Sequence, residues 1–425
     1  MIVMKFGGTS VGTAESIRLV ADAVEKQPSN KLVVLSANAG TTDDLVKLIG
    51  YLPKEQENAK TKLGEIRNRT TNLCSQLQLS GKATKQVAAL ITEIEKLMEG
   101  VELLGFITDK LANHIISFGE LISTLIFYDY FSKKHQCKQL DIANLLTYNK
   151  ADSVYNLSNT EGIVELFTQS STVITQGFIC KDENGNISNL GRGGSDYTAS
   201  ILAAELGADE LQIWTDVSGV MTADPRIIRN AKTKDYINIT NLSKMAFFGA
   251  KVIHPDTLKP TMKMGIPVSI RNTFQSENAG TYVTEGRKDN NPAITVKKGC
   301  YIYTLTTKSK KDLYLANKYI SSLVVKHNLN LLATYHNDDT VSYVYEKNID
   351  ELIETERAIK KEKVDLLYVC ELTDSKINVI LKNVNNLNPK RIDLDLDNKS
   401  LLLLTNADND NIKYNAFHDM LLSSE

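Results

Sequence analysis

No apolar run in this 425-residue sequence approaches the ~20 residues needed to cross a bilayer, so a membrane-spanning chain is not expected. The N-terminus lacks the basic and then apolar pattern of a secretory leader, because Met1 leads straight into a strand and a lysine. Cysteine is sparse. Cys74, Cys137, Cys180, Cys300 and Cys370 are odd in number, widely spaced and free of any C-x-x-C, which excludes a disulfide scaffold and points to reduced thiols in the cytoplasm. The six histidines are equally scattered, so no protein-built metal site is expected. Charge of one sign is missing too: 49 Lys and Arg against 51 Asp and Glu give a net charge of −2, which provides no field for nucleic acid or an anionic membrane. The G-x-x-x-x-G-K-[ST] phosphate loop is absent, and so is any long low-complexity tract. What remains is an ordinary globular balance, 42% hydrophobic and 24% charged, with length for two or three domains and a small-molecule substrate as the leading expectation.

The first half alternates strand and helix signals. Ile2–Phe6 is an apolar strand; Ile17, Val20, Ala21 and Val24 then recur at helical spacing and stop before Pro28. Lys31–Ser36 is a second apolar strand, with a helix start after Asn38-Ala-Gly40. This rhythm predicts an α/β domain with a mainly parallel sheet, whose ligands sit at the carboxyl ends of the strands. From Lys54 to Tyr130 the pattern turns helical, with a break expected at Ser117-Phe-Gly-Glu120. Strand signals return at Thr172–Cys180, Glu210–Asp216 and Ile266–Arg271, and the polar Gly286–Pro292 stretch is the best linker. Beyond it, strands near Tyr301–Thr307, Leu331–Tyr335 and Val341–Tyr345, helices near Leu313–His327 and Glu351–Lys361, and a second set from Val364 suggest two small ferredoxin-like α+β units.

Four constellations carry chemistry. In Lys5-Phe-Gly-Gly-Thr-Ser10 a strand ends in a lysine and two glycines; side-chain-free backbone can approach an anion closely, and the lysine supplies a point charge for phosphate. An ordinary strand-turn-helix joint accounts for it equally well in isolation. Leu190-Gly-Arg-Gly-Gly-Ser-Asp196 places three glycines and Arg192 before a helix N-terminus, an anion cradle beside a guanidinium able to grip a carboxylate with two bonds. Asp196 alone reads more simply as a helix cap. Trp214-Thr-Asp-Val-Ser-Gly-Val-Met-Thr-Ala-Asp-Pro-Arg226 ends a strand in Thr215 and Asp216, suited to a ribose or base, with Arg226 suited to phosphates; Asp-Pro is also a plain turn initiator. Phe248-Gly-Ala-Lys-Val-Ile-His-Pro255 offers Lys251 as a second phosphate-binding cation, although a lone helical lysine is usually solvated.

Taken together and in this order, KFGGTS, VLSANAG, SFGE, LGRGGSDYTA, WTDVSGVMTADPR and FGAKVIHP resemble the aspartate kinases of the amino acid kinase superfamily, over nearly all of residues 1–285. The resemblance implies a three-layer α/β sandwich with a mainly parallel sheet in a catalytic domain over 1–285. A linker over 286–298 and tandem or intertwined C-terminal ferredoxin-like ACT domains over 299–425 complete the expected organisation. It implies transfer of a phosphoryl group from ATP, with Mg²⁺, to the side-chain carboxylate of L-aspartate, the first step toward lysine, threonine and methionine. Lys5, Gly8 and Asp196 would be catalytic. Ser36, Thr42, Glu120, Arg192 and Ser195 would bind aspartate. Lys5, Phe6, Gly7, Gly8, Thr215, Asp216, Met221, Arg226, Lys251 and Val252 would bind ATP, with Met221 replacing a tyrosine common in the family.

In that family the ACT pair builds a homodimer or higher oligomer and binds an effector, lysine or threonine. Here Lys308–Asn317 lacks the glycine that usually precedes the first ACT helix, so assembly is the first role expected and effector binding the second. Two readings compete: a sister kinase acting on another acidic substrate, and a catalytically dead ligand sensor. The presence of every charged site residue speaks against the sensor.

Overall fold

In the computed structural model, residues 1–250, 253–286, 289, 291–306, 309–337, 339–353 and 359–423 are described. The chain divides into two compact units, Met1–Val220 with Ile253–Thr284, and Met221–Val252 with Glu285–Glu425.

The first unit contains β1 (Ile2–Phe6), α1 (Ala14–Glu25), β2 (Lys31–Leu35), α2 (Thr41–Tyr51), α3 (Gln56–Gln76), α4 (Gly81–Leu104) and α5 (Asp109–Ser132). It continues through β3 (Lys138–Leu140), β4 (Leu146–Asn149), β5 (Val154–Leu157), α6 (Thr160–Gln169), β6 (Thr172–Gln176), β7 (Ile179–Lys181), β8 (Ile187–Asn189), α7 (Gly194–Glu205) and β9 (Glu210–Thr215). The chain then passes through β10 (Tyr236–Asn238) and α8 (Ile239–Phe247) of the second unit, and returns for α9 (Lys259–Lys263), β11 (Val268–Asn272) and β12 (Thr281–Thr284).

Strands β12, β11, β9, β1, β2, β6 and β3 lie side by side in that order, parallel except for β12. A strand with parallel neighbours on both sides is buried on both faces, which is why β1 and β2 are nearly continuous apolar runs. Alternation then assigns the faces. Met4 and Phe6 join the core shared with α1 and α2–α5, whereas Lys5 points to the opposite face, where α7 begins. A smaller sheet, in the order β5, β4, β7, β8, adjoins this one in sequence.

The second unit adds β13 (Ala293–Thr306), α10 (Lys310–His327), β14 (Leu331–His336), β15 (Thr340–Tyr345), β16 (Ile359–Cys370), α11 (Asp374–Asn383), β17 (Pro389–Asp395), β18 (Ser400–Thr405) and α12 (Ile412–Ser423). Its antiparallel sheet runs β14, β15, β13, β16, β18, β17. The long β13 and β16 pair along most of their length, with a bulge between Lys297 and Cys300 where Gly299 takes φ +71°. Two ferredoxin-like halves of ACT type therefore share their central strands, each with its own core beneath α10 or beneath α11 and α12.

Several expectations are corrected. Ser117–Glu120 does not break a helix but lies inside α5. A Cβ on Gly119 would stand 2.9 Å from the Ala37 Cβ, so the glycine serves close packing. Thr172–Cys180 is not one strand: the chain leaves β6 at Gly177 and enters another sheet at Ile179. The helix expected over Glu351–Lys361 is not seen among the described residues, where Asp350–Leu352 is a single 3₁₀ turn and β16 has begun by Ile359. The expected linker 286–298 ends early because β13 starts at Ala293.

The 1–285 boundary also shifts. Residues 221–252 pack with the C-terminal unit because Ala223 and Ile228 enter its core and Thr222 O accepts from Ile294 N at 2.7 Å. Among the described residues α5 is long and apolar enough to cross a membrane by length and composition. Its residues Ile115, Phe118, Ile122, Ile126, Phe127 and Phe131 are buried in the core instead.

Candidate active site

A cleft of about 730 Å³ opens in the first unit, and every catalytic and aspartate-binding residue expected from the sequence lines it: Lys5, Gly8, Ser36, Thr42, Glu120, Arg192, Ser195 and Asp196. The topology brings them together. Lys5 and Gly8 lie at the end of β1, Ser36 follows its neighbour β2, and α2 and α7 begin at the same rim. This is the carboxyl edge of a parallel sheet, where strand-to-helix turns leave room for ligands.

Close backbone packing shapes the walls. A Cβ on Gly8 would stand 2.9 Å from Ala37 O, and one on Gly177 would stand 2.6 Å from Ser195 Cβ. Neither site has space for a side chain. Gly191 and Gly193, at φ +76° and +70°, turn the chain into α7. The N-caps of α2 and α7 are Gly40 and Gly193, so neither helix start carries a side-chain cap, unlike α1, α4 and α5. Uncapped helix starts at the rim of a cleft leave N–H groups and the positive dipole end for an anion.

The charges are arranged to match. Lys5 Nζ lies 2.6 Å from Asp196 Oδ1, with both side chains largely buried. Asp196 is therefore not the cap of its helix, whose N-cap is Gly193 with no side-chain cap bond; its carboxylate holds the ammonium at the mouth of the Gly7-Gly8 turn instead. Arg192 is exposed and has no ion-pair partner among the described residues, so its guanidinium is available to a ligand. Glu120 is 3% exposed. Its Oε1 accepts from Ala37 N at 3.1 Å, while Oε2 is buried without a hydrogen-bond partner among the described residues. Burial pushes its carboxyl up to about 8, outweighing the Ala37 N–H and the nearby Lys5 ammonium. A buried carboxylate oxygen without a partner, in a cleft that also holds a free guanidinium, fits a ligand bearing both an ammonium and a carboxylate.

The nucleotide residues are distributed otherwise. Gly7 N donates to Trp214 O at 3.0 Å, tying the end of β1 to β9, whose last residue Thr215 donates from Oγ1 to Asp216 Oδ1 at 3.1 Å. Phe6 is a correction: its ring is fully buried and stacks on Trp214 at 5.6 Å, so the side chain belongs to the core and cannot reach a ligand. Met221 and Arg226 lie in the second unit. Arg226 is not a free cation, because Nε and Nη2 pair with both Asp224 oxygens at 2.9 and 2.6 Å. Lys251 and Val252 lie outside the described residues. Among the described residues no group of three or more His, Cys, Asp or Glu could hold a metal ion, and the five cysteines are buried and free.

Sequence reasoning overlooked several lining residues, among them Asn113, Phe178 and Asn189. Asn113 could have been found from helical spacing, since it precedes Glu120 by two turns on one face of α5 with Ile116 between them.

The profile of the amino acid kinase family matches residues 1–272. The lysine-sensitive aspartokinase 3 of Escherichia coli is 36% identical over 302 residues, 69% of this chain and 66% of that protein. An aspartokinase of Chlamydia trachomatis is 33% identical over 331 residues, covering 76% and 72%. The crystal structure of Escherichia coli aspartokinase III in complex with aspartate and ADP superposes with a TM-score of 0.78 at 28% identity, covering all of both chains. The chain spans about half the length of other curated relatives: 43% of a bifunctional aspartokinase/homoserine dehydrogenase of Buchnera aphidicola and 54% of the chloroplastic aspartokinase 3 of Arabidopsis thaliana. The chain belongs to the amino acid kinase family and, within it, to the aspartokinases.

Proposed function

We propose that this protein transfers the γ-phosphoryl group of ATP to the side-chain carboxylate of L-aspartate, giving ADP and 4-phospho-L-aspartate, the entry reaction to lysine, threonine and methionine synthesis. The observation that carries this reading is the pairing of a buried, partnerless Glu120 Oε2 with a free Arg192 in one cleft that also holds Lys5. An α-amino acid presents the matching ammonium and carboxylate, so its side-chain carboxylate is left for reaction.

That carboxylate is already a nucleophile, so no general base is required. Its oxygen forms the bond to the γ-phosphorus as the bond to the bridging oxygen breaks and ADP leaves with the electron pair. The obstacle is the approach of two anions. Lys5, the backbone of the Gly7-Gly8 turn and the uncapped helix starts offset that repulsion by fixed charge placed where the transition state develops it. The nucleotide is assigned to the same turn with Thr215 and Asp216. Mg²⁺ would arrive on the nucleotide phosphates, since this ion keeps few protein ligands; when bound it neutralises phosphate charge. We assign assembly into a homo-oligomer, and secondarily binding of lysine or threonine, to the C-terminal unit; the lysine sensitivity in the Escherichia coli relative's name supports that reading.

Hydroxylamine trapping tests the reaction. With ATP and Mg²⁺, L-aspartate should yield aspartyl hydroxamate, and L-glutamate little or none. Equal or greater product from another acidic substrate would transfer the assignment to a sister kinase.

Glu120 makes binding pH-dependent. A carboxyl titrating at about 8 in the unliganded protein is mainly neutral at pH 7, yet it must ionise to pair with the amino acid's ammonium. Aspartate affinity should therefore rise with pH up to about 8 and then level, with proton release on binding below that point. Because the folded value lies above the unfolded one, Glu120's stabilising contribution is complete below pH 4.5 and is lost as pH rises through about 8. Titration calorimetry in buffers of different ionisation enthalpy measures the released proton. A flat affinity between pH 6.5 and 8.5 would remove Glu120 from ammonium binding.

A further inference from the structure

Two asparagines outside the charged motifs meet in the wall of the cleft. Asn113 comes from the first turns of α5, on the face that carries Ile116 and Glu120, and Asn189 ends β8 just before the Gly191 turn. Asn189 is buried. Its Oδ1 accepts the N–H of Gly191 at 3.1 Å and its Nδ2 donates to Asn113 Oδ1 at 2.8 Å.

The first of these bonds settles the direction of the second. Only an oxygen can accept from the Gly191 N–H, so the Asn189 amide must turn its NH₂ toward Asn113. The atom of Asn113 that meets it must therefore be the oxygen. This leaves the Asn113 NH₂, half-buried at the cleft, with no acceptor among the described residues.

The same two bonds tie α5, which carries Glu120, to the turn that carries Arg192. An acidic amino acid brings two carboxylates, and Arg192 can take only one of them with both donor arms. A neutral amide donor suits the other. It orients that carboxylate without the charge that would lower its nucleophilicity, and without an acceptor that would repel it.

Resting on the kinase reading above, we infer that Asn113 is a further substrate-binding residue, donating from its side-chain amide to a carboxylate oxygen of the acidic substrate. Asn189 is a positioning residue that orients Asn113 and anchors the Arg192 turn.

The test uses the full chain and direct binding of L-aspartate alongside steady-state kinetics. Asn113→Asp is isosteric and still accepts from Asn189, but it replaces the donor with negative charge; aspartate Kd should rise about thirtyfold or more while KM for ATP stays within twofold. Asn113→Ala should raise aspartate Kd about tenfold. Asn189→Asp keeps the acceptor for Gly191 N–H but sets oxygen against oxygen at Asn113, and should give an increase of about fivefold. The double variant Asn113→Ala with Asn189→Asp should be no weaker than Asn113→Ala alone, since Asn189 acts through Asn113.

Thermal melting checks that each variant is folded. Aspartate Kd within twofold of the parent in Asn113→Asp, or strictly additive effects in the double variant, overturns the inference. Parental protein that neither binds nor phosphorylates L-aspartate refutes the kinase reading and the inference with it, whereas a normal parent with unaffected variants refutes the inference alone.

Discussion

Lys5→Met lowers kcat by about a hundred- to a thousandfold, with KM for aspartate changed only a few-fold. The lysine side chain leaves β1 toward α7, and its ammonium sits 2.6 Å from Asp196 at the turn where two glycines follow. A preorganised charge of this kind acts on the transition state more than on the bound substrate, and one such group is commonly worth 10²–10³ in rate, about 3–4 kcal/mol. The substitution also strips Asp196 of its cation in a largely buried place, which costs stability. The double variant Lys5→Met with Asp196→Asn separates the two effects: it should recover much of the lost melting temperature and none of the turnover. A single-turnover hydroxamate assay checks the prediction. Turnover within tenfold of the parent in folded Lys5→Met would assign the phosphoryl charge to another group.

Arg192→Ala should leave folding untouched and weaken aspartate binding by about a hundredfold. The side chain is exposed and has no ion-pair partner among the described residues, so its loss strands no buried charge in the free protein. In the complex it removes a two-armed, charge-assisted grip on a carboxylate. Hydrogen bonds to charged groups are worth about 1.5–3 kcal/mol, equivalent to roughly ten- to 150-fold. Arg192→Lys should recover only part of the loss, because an ammonium keeps the charge but not the planar fork. The measurement is aspartate KM with ATP saturating, paired with the melting temperature. An unchanged KM in Arg192→Ala would place the α-carboxylate elsewhere in the cleft.

Both predictions concern residues whose type and local spacing announce their chemistry. A lysine before two glycines at a strand end, and an arginine among glycines before a helix, are legible without coordinates because each signal lies within a few neighbouring residues. Phe6 shows the limit of that reading. It sits between Lys5 and Gly7 in the same motif, yet the pleat sends it to the opposite face, onto Trp214. Glu120 shows another. Its neighbour Gly119 suggested a break, whereas the glycine lets α5 pass close to Ala37 and brings the carboxylate to the Ala37 N–H.

The sequence by itself determined the alternating α/β start, the paired α+β end and the residue types that meet an acidic substrate. Each of these follows from local periodicity, glycine conformations or side-chain charge. Tertiary structure alone decided which side chains face the cleft, that Glu120 keeps one oxygen buried without a partner, and that Asn113 and Asn189 link two walls far apart in the chain. It also decided that residues 221–252 join the C-terminal unit. Burial, desolvation and long-range hydrogen bonds depend on which distant segments meet, and no local pattern records that choice.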